Sequence, residues 1–89
     1  MLEKEIVVSN KLGLHARASA KLVQLVQQFS STVWLVNQSH EVNAQSIMGV
    51  MMLAAGLGTR LTVRTQGVDE DAALNAVVTL FEDKFDEGE

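Results

Sequence analysis

Residues 4–36, KEIVVSNKLGLHARASAKLVQLVQQFSSTVWLV, read as strand, loop, helix and strand in succession. Lys4 to Ser9 contains the β-branched run Ile6, Val7 and Val8, which suits an extended chain. Asn10 to Gly13 is turn chemistry. From Ala16 to Phe29, residues Leu22, Leu25, Val26 and Phe29 fall at i, i+3, i+4 and i+7, the spacing of one helical face. Thr32 to Val36 then alternates, with Val33 and Leu35 on one side and Trp34 and Val36 on the other. The change of period from two to 3.6 and back within 33 residues decides the fold class, because strands and helices of one short chain must share one core.

Working outward, Asn37 to Ser39 is a tight turn into a short strand, His40 to Asn43. A short helix is expected over Ser46 to Ala54, stopping near Gly56 and Gly58. Leu61 to Thr65 alternates as a last strand, and Gly67 breaks it. Asp69 is placed as the N-cap of a final helix, with Glu70 and Asp71 favourable against its dipole. Leu74, Val77, Val78, Phe81 and Phe85 form that helix's apolar stripe. The order βαββαβα predicts a two-layer α+β sandwich, one sheet face covered by helices, as a single domain over 1–89.

Composition narrows the function classes. The chain has 89 residues, 47% hydrophobic and 20% charged, which is a globular balance with room for one modest core. It has no cysteine, so disulfide frameworks, thiolate metal sites and a cysteine nucleophile are excluded, and a cytoplasmic location is expected. The most apolar stretch, Ile47 to Leu57, is 11 residues long and too short to span a bilayer, so no membrane insertion is expected. Residues 69–89 carry eight acids and one base, −7, while residues 1–68 carry three acids and six bases, +3, which together return the net −4. A basic body suits an anionic ligand or an acidic partner, whereas the acidic end, a solvated helix end, repels nucleic acid. With one tryptophan, three phenylalanines and no Arg-Gly-aromatic stretch, nucleic-acid binding has no support. Two histidines without a carboxylate cluster make no metal site, and Gly56-Leu57-Gly58-Thr59 lacks the lysine of a phosphate loop, so no metal or cofactor is expected.

Three features could carry chemistry. His15 directly precedes the first helix, with Arg17 two residues on. A helix start offers unpaired N–H groups and partial positive charge to an anion, and a neutral ring nitrogen can attack a phosphoryl group. From position alone the plainer reading, a surface histidine at a helix start, outweighs this one. Ser46 opens the second helix; its plain role is an N-cap, its functional one a phosphorylation acceptor. The second helix has no polar side chain after Ser46: Ile47, Met48, Met51 and Met52 fan across one side, Val50, Leu53 and Ala54 across another. A helix apolar all round is buried on both sides or covered by a partner, and the methionines divide evenly between core filler and docking patch.

Taken together these residues resemble a known family. Asn10-Lys11-Leu12-Gly13-Leu14-His15-Ala16-Arg17 looks like the active-site signature of HPr, the histidine-containing phosphocarriers of the bacterial phosphotransferase system. Asn43-Ala44-Gln45-Ser46-Ile47-Met48-Gly49-Val50-Met51 resembles that family's second signature, around its regulatory serine. The resemblance covers essentially the whole chain. It implies an open-faced sandwich, a four-stranded antiparallel sheet covered on one face by three helices. It implies that His15 accepts a phosphoryl group on Nδ1 from enzyme I and passes it to an enzyme IIA, that Arg17 attends the phosphate, and that the carrier acts as a monomer. Ser46 matches the serine modified by HPr kinase/phosphorylase, and Ile47, Met48 and Met51 match positions that dock partners. Many members carry proline after the arginine where this chain has Ala18. The sugar-uptake branch and the nitrogen branch, whose carrier is called NPr, use the same chemistry; the complete Ser46 motif favours the kinase-regulated carrier. A docking module of the same fold with a silent His15 is the rival class.

Overall fold

The computed structural model describes residues 1–86; Glu87 and Glu89, the last acids of the C-terminal run, lie outside the described residues. Strands β1 (Leu2–Val7), β2 (Thr32–Asn37), β3 (His40–Asn43) and β4 (Arg60–Gln66) alternate in the chain with helices α1 (Ala16–Val26), α2 (Ile47–Met52) and α3 (Glu70–Glu82), and a 3-10 turn, Lys84–Asp86, follows. The sheet is antiparallel throughout, in the order β1-β4-β2-β3. The last strand in sequence therefore sits in the middle, between β1 and β2.

That position explains the composition of β4. Leu61, Val63 and Thr65 are buried, and between them Thr62 and Arg64 are half-buried on the opposite face. The buried face continues into Val33 and Leu35 of β2 and Ile6 of β1. Over it lie Ala18, Leu22 and Val26 of α1, Val50 of α2, and Ala73, Val77, Val78 and Phe81 of α3, one continuous apolar core between two layers. The other face is open and charged: Arg64 bridges Glu3 of β1 through Nε and Glu41 of β3 through Nη1, each at 2.6 Å. Such exposed pairs contribute at most about 1 kcal/mol each, so cohesion comes from the helix-covered side. The expected open-faced α+β sandwich with three helices is the architecture found.

Four local expectations change. The first strand runs over Leu2–Val7, because the β4 ladder ends at the pair Val7 and Arg60; Val8 leaves it, though it stays buried and bonds Thr59 and Gly58. Helix α1 ends at Val26, and Gln28 and Phe29 donate to carbonyls three residues back, so the final turn tightens and Phe29 packs half-buried against the core from outside the helix. Phe85 does not extend the α3 stripe: the helix stops at Glu82, and three residues with φ of 54°, 55° and 61° turn the chain back. Phe85 is thereby fully buried, its ring edge-on to Phe81 at 4.9 Å and 69°.

The fourth change concerns Asp69. It holds the N-cap position, but its carboxylate does not cap α3. It reaches across to the start of β2 and accepts from the N–H of Ser30 at 2.9 Å, the N–H of Ser31 at 2.8 Å and the Ser31 hydroxyl. Glu70 takes over locally, accepting from the Gly67 N–H at 3.1 Å. Gly67 has φ of 151°, and a Cβ there would stand 2.6 Å from the Ser31 Cα, so only glycine lets the two segments close this far.

Candidate functional site

The loop before α1 is held by backbone geometry. Asn10 is buried; its Nδ2 donates to the Gly13 carbonyl at 2.8 Å, and the Gly13 N–H donates to the Asn10 carbonyl at 3.2 Å. Gly13 has φ of 64°, and a Cβ there would meet the Ala55 carbonyl and lie 2.7 Å from the Gly56 Cα. Glycine is required both for the left-handed turn and for this approach. Next, Leu14 donates to the Ala55 carbonyl at 2.9 Å, and the Ser19 hydroxyl donates to the Leu14 carbonyl at 3.1 Å. The loop is therefore clamped from α1 on one side and from the exit of α2 on the other.

This clamp sets His15. Its backbone is extended, φ −75° and ψ −179°, and its carbonyl accepts the first helical bond, from Ser19 at 2.8 Å. His15 is thus the N-cap residue of α1, half-buried, with the N–H groups of Ala16, Arg17 and Ala18 forming the first turn. No acidic residue stands in that turn. His15 lines an open depression of about 630 Å³ together with Lys11, Leu12, Ala16, Arg17, Lys21 and Asp86. Among the described residues, three basic side chains against one carboxylate give the lining a formal charge of +2. An anion placed there meets a helix start, a guanidinium and two ammonium groups. Arg17, expected beside His15, is found there. Lys11, Lys21 and Asp86 were not singled out in the sequence. The i+4 spacing of Arg17 and Lys21 was a usable signal for one of them; nothing local points to Asp86, 71 positions from His15.

Helix α2 resolves the ambiguity of its methionines. Val50 is fully buried and Leu53 is 8% exposed, whereas Met48 is 67% and Met52 77% exposed. Ile47 and Met51 are exposed as well, at 39% and 40%. Two positions three apart therefore anchor the helix, and Ile47, Met48, Met51 and Met52 face outward. Met52, the most exposed of them, belongs with the patch, and Leu12 beside His15 is a further exposed apolar side chain. Ser46 is exposed and caps α2, its Oγ accepting from the Gly49 N–H at 3.1 Å. Since α2 packs on α1, and Ala55 beyond it holds Leu14, the His15 loop and the methionine helix are neighbouring parts of one structure. His40, the second histidine, is exposed at the β2–β3 turn. Among the described residues no group of three or more His, Cys, Asp or Glu could hold a metal, and no helix is long and apolar enough to cross a membrane.

Comparison with known proteins agrees with this arrangement. Residues 2–83 match the family described as "PTS HPr component phosphorylation site". The chain is 56% identical over 87 residues to phosphocarrier protein HPr of Xylella fastidiosa (strain 9a5c), covering 98% of each chain. It is 42% identical over 86 residues to phosphocarrier protein NPr of Shewanella violacea, covering 97% of this chain and 94% of that one. The crystal structure of HPr-C-His from Thermoanaerobacter tengcongensis superimposes with a TM-score of 0.94 at 44% identity, over 98% of both chains. A cationic helix start under a histidine, on this sandwich and with these relatives, places the chain in the HPr family of phosphocarrier proteins of the phosphotransferase system.

Proposed function

We propose that His15 is the phosphoryl acceptor, charged by the phosphohistidine of enzyme I and discharged to a histidine of an enzyme IIA. The observation that carries this is the seating of His15 as N-cap of α1 in a depression whose described lining has a formal charge of +2. In the transfer, the lone pair of the neutral His15 ring, on Nδ1 as the family resemblance implies, forms the new N–P bond. The donor's N–P bond breaks and its electron pair returns to the donor imidazole. The donor ring starts protonated and leaves neutral, while His15 starts neutral and ends as a protonated phosphoimidazole, so no net proton is released. Arg17 and the first-turn N–H groups meet the phosphoryl oxygens. The chain is a covalent carrier rather than an enzyme, acting as a cytoplasmic monomer: modified in one reaction, restored in the next.

Ile47, Met48 and Met51 form the docking surface for both partners, because thioether side chains adapt to differing apolar surfaces. Ser46 is the regulatory site for a kinase of the HPr kinase/phosphorylase type. A phosphate there leaves the helix start intact and adds negative charge beside the patch, where a partner must desolvate it. The sugar branch is favoured over the nitrogen branch by the complete Ser46 motif.

The test is incubation with phosphoenolpyruvate and enzyme I, followed by assay for acid-labile phosphate. The parent chain should take up one phosphate and a His15→Ala variant none. Equal labelling of that variant would overturn the assignment. A parent that binds partners yet takes no phosphate would make the chain a docking module instead.

A further inference from the structure

Lys21 has no part in the transfer as described, yet its side chain forms part of the wall of the His15 depression. It follows Arg17 by four residues, so both project from one face of α1. Cations at that spacing repel. Even so the ammonium is fixed. It donates to the Phe85 carbonyl at 2.6 Å, and that carbonyl is itself fixed because the Phe85 ring is fully buried against Phe81. The left-handed turn over Lys84–Asp86 is what brings the end of the chain back to α1. An ordinary surface lysine spreads its charge over many rotamers; here the tether has already selected one. The described lining, at +2, matches a phosphoryl dianion, and without Lys21 it would fall to +1.

We propose that Lys21 is a positioning residue for phosphoryl transfer, a tethered cation that works with Arg17 to stabilise the phosphorylated state of His15. The inference rests on His15 being the acceptor. It goes beyond the Arg17 contact in assigning a role to the C-terminal turn, whose carbonyl holds the ammonium in the wall of the depression.

The experiment uses the full chain with enzyme I, phosphoenolpyruvate and pyruvate, and reads the equilibrium fraction of phosphorylated carrier. Lys21→Gln retains an N–H donor for the Phe85 carbonyl and loses the charge; Lys21→Arg retains both. At low ionic strength Lys21→Gln should shift the equilibrium about two- to fivefold toward the unphosphorylated carrier. The shift should shrink at about 0.5 M salt, where the Debye length is only a few ångströms. Lys21→Arg should restore the parent value, and urea midpoints should show all three chains folded. Identical equilibria for the parent and Lys21→Gln would overturn the proposal. So would a Lys21→Arg variant as impaired as Lys21→Gln, since the charge would then be irrelevant. A parent chain that takes no phosphate removes the His15 reading and this inference with it, a result distinct from a reactive parent matched by a reactive Lys21→Gln.

Discussion

Helices α1 and α3 start in opposite electrostatic surroundings. Helix α3 opens with Asp69, Glu70 and Asp71, and two of these acids are occupied within the fold: Asp69 with Ser30 and Ser31, Glu70 with Gly67 and the amino group of Met1. Helix α1 opens with His15, has no acid in its first turn, and stands among Lys11, Arg17 and Lys21. Both starts carry the same partial positive charge, roughly half an elementary charge. In α3 the chain places three acids beside it, and two of them hold the corner together. In α1 the chain adds more positive charge, and among the described residues lining the depression Asp86 alone opposes it. The difference teaches that a helix start is structural where the fold supplies the anion, and suited to a ligand where the fold withholds it. Helix α2 stands between the two, capped by the uncharged Ser46 hydroxyl.

The largest expected effect lies in α2, between what it buries and what it displays. Leu53→Ala should cost about 2–5 kcal/mol of stability, the range for a buried leucine truncation. Met48→Ala should stay within about 0.5 kcal/mol and weaken partner binding instead. Paired urea denaturations beside a phosphotransfer titration give both numbers; equal destabilisation would place Met48 in the core and remove the docking surface.

At the α1 start, Arg17→Ala should lose about 1.5–3 kcal/mol of phosphate stabilisation, roughly ten- to a hundredfold in transfer rate. Its denaturation curve should match the parent's because Arg17 is exposed. Unchanged rates in both directions would leave the backbone N–H groups and Lys21 sufficient. For α2, Ser46→Ala should cost about 1 kcal/mol through loss of the cap. Ser46→Asp should be at least as stable as the parent yet accept phosphate from enzyme I more slowly; a normal rate would detach Ser46 from regulation.

The smallest effect is confined to acid pH, at the α3 start. The Ser31 hydroxyl, then the Ser30 N–H, hold the Asp69 carboxyl below its ordinary value of 3.8. A folded-state value below the unfolded one gives stability that is complete above the unfolded value and lost as pH falls through the folded one. Urea midpoints taken from about pH 7 down to about pH 2.5 should therefore fall less steeply for Asp69→Asn below about pH 4 than for the parent. Parallel curves would show that Asp69 does not hold this corner through its charge.

Much of this was legible in the sequence because the signals are local. Strand β2 and helix α1 follow from alternation and from a four-residue spacing, and His15 and Ser46 could be set at helix starts from their neighbours alone. Phe85 misled for the same reason: it continues the α3 period, yet the chain reverses before it, and burial beside Phe81 outweighs three left-handed residues. Asp69 misled because an acid before a helix is good local capping chemistry, while its stronger partners lie 38 and 39 residues away.

By itself the sequence determined the order of elements, the residue at the first helix start and the serine at the second, since each depends on contacts within about one helical turn or one strand pair. Only the tertiary structure decided which side of α2 is buried, because its helical period is apolar all round. Tertiary structure also placed β4 between β1 and β2, and brought Lys21 and Asp86 to His15 through the buried Phe85. These outcomes depend on burying apolar surface between segments far apart in the chain, and no short-range pattern encodes which distant partner completes that burial.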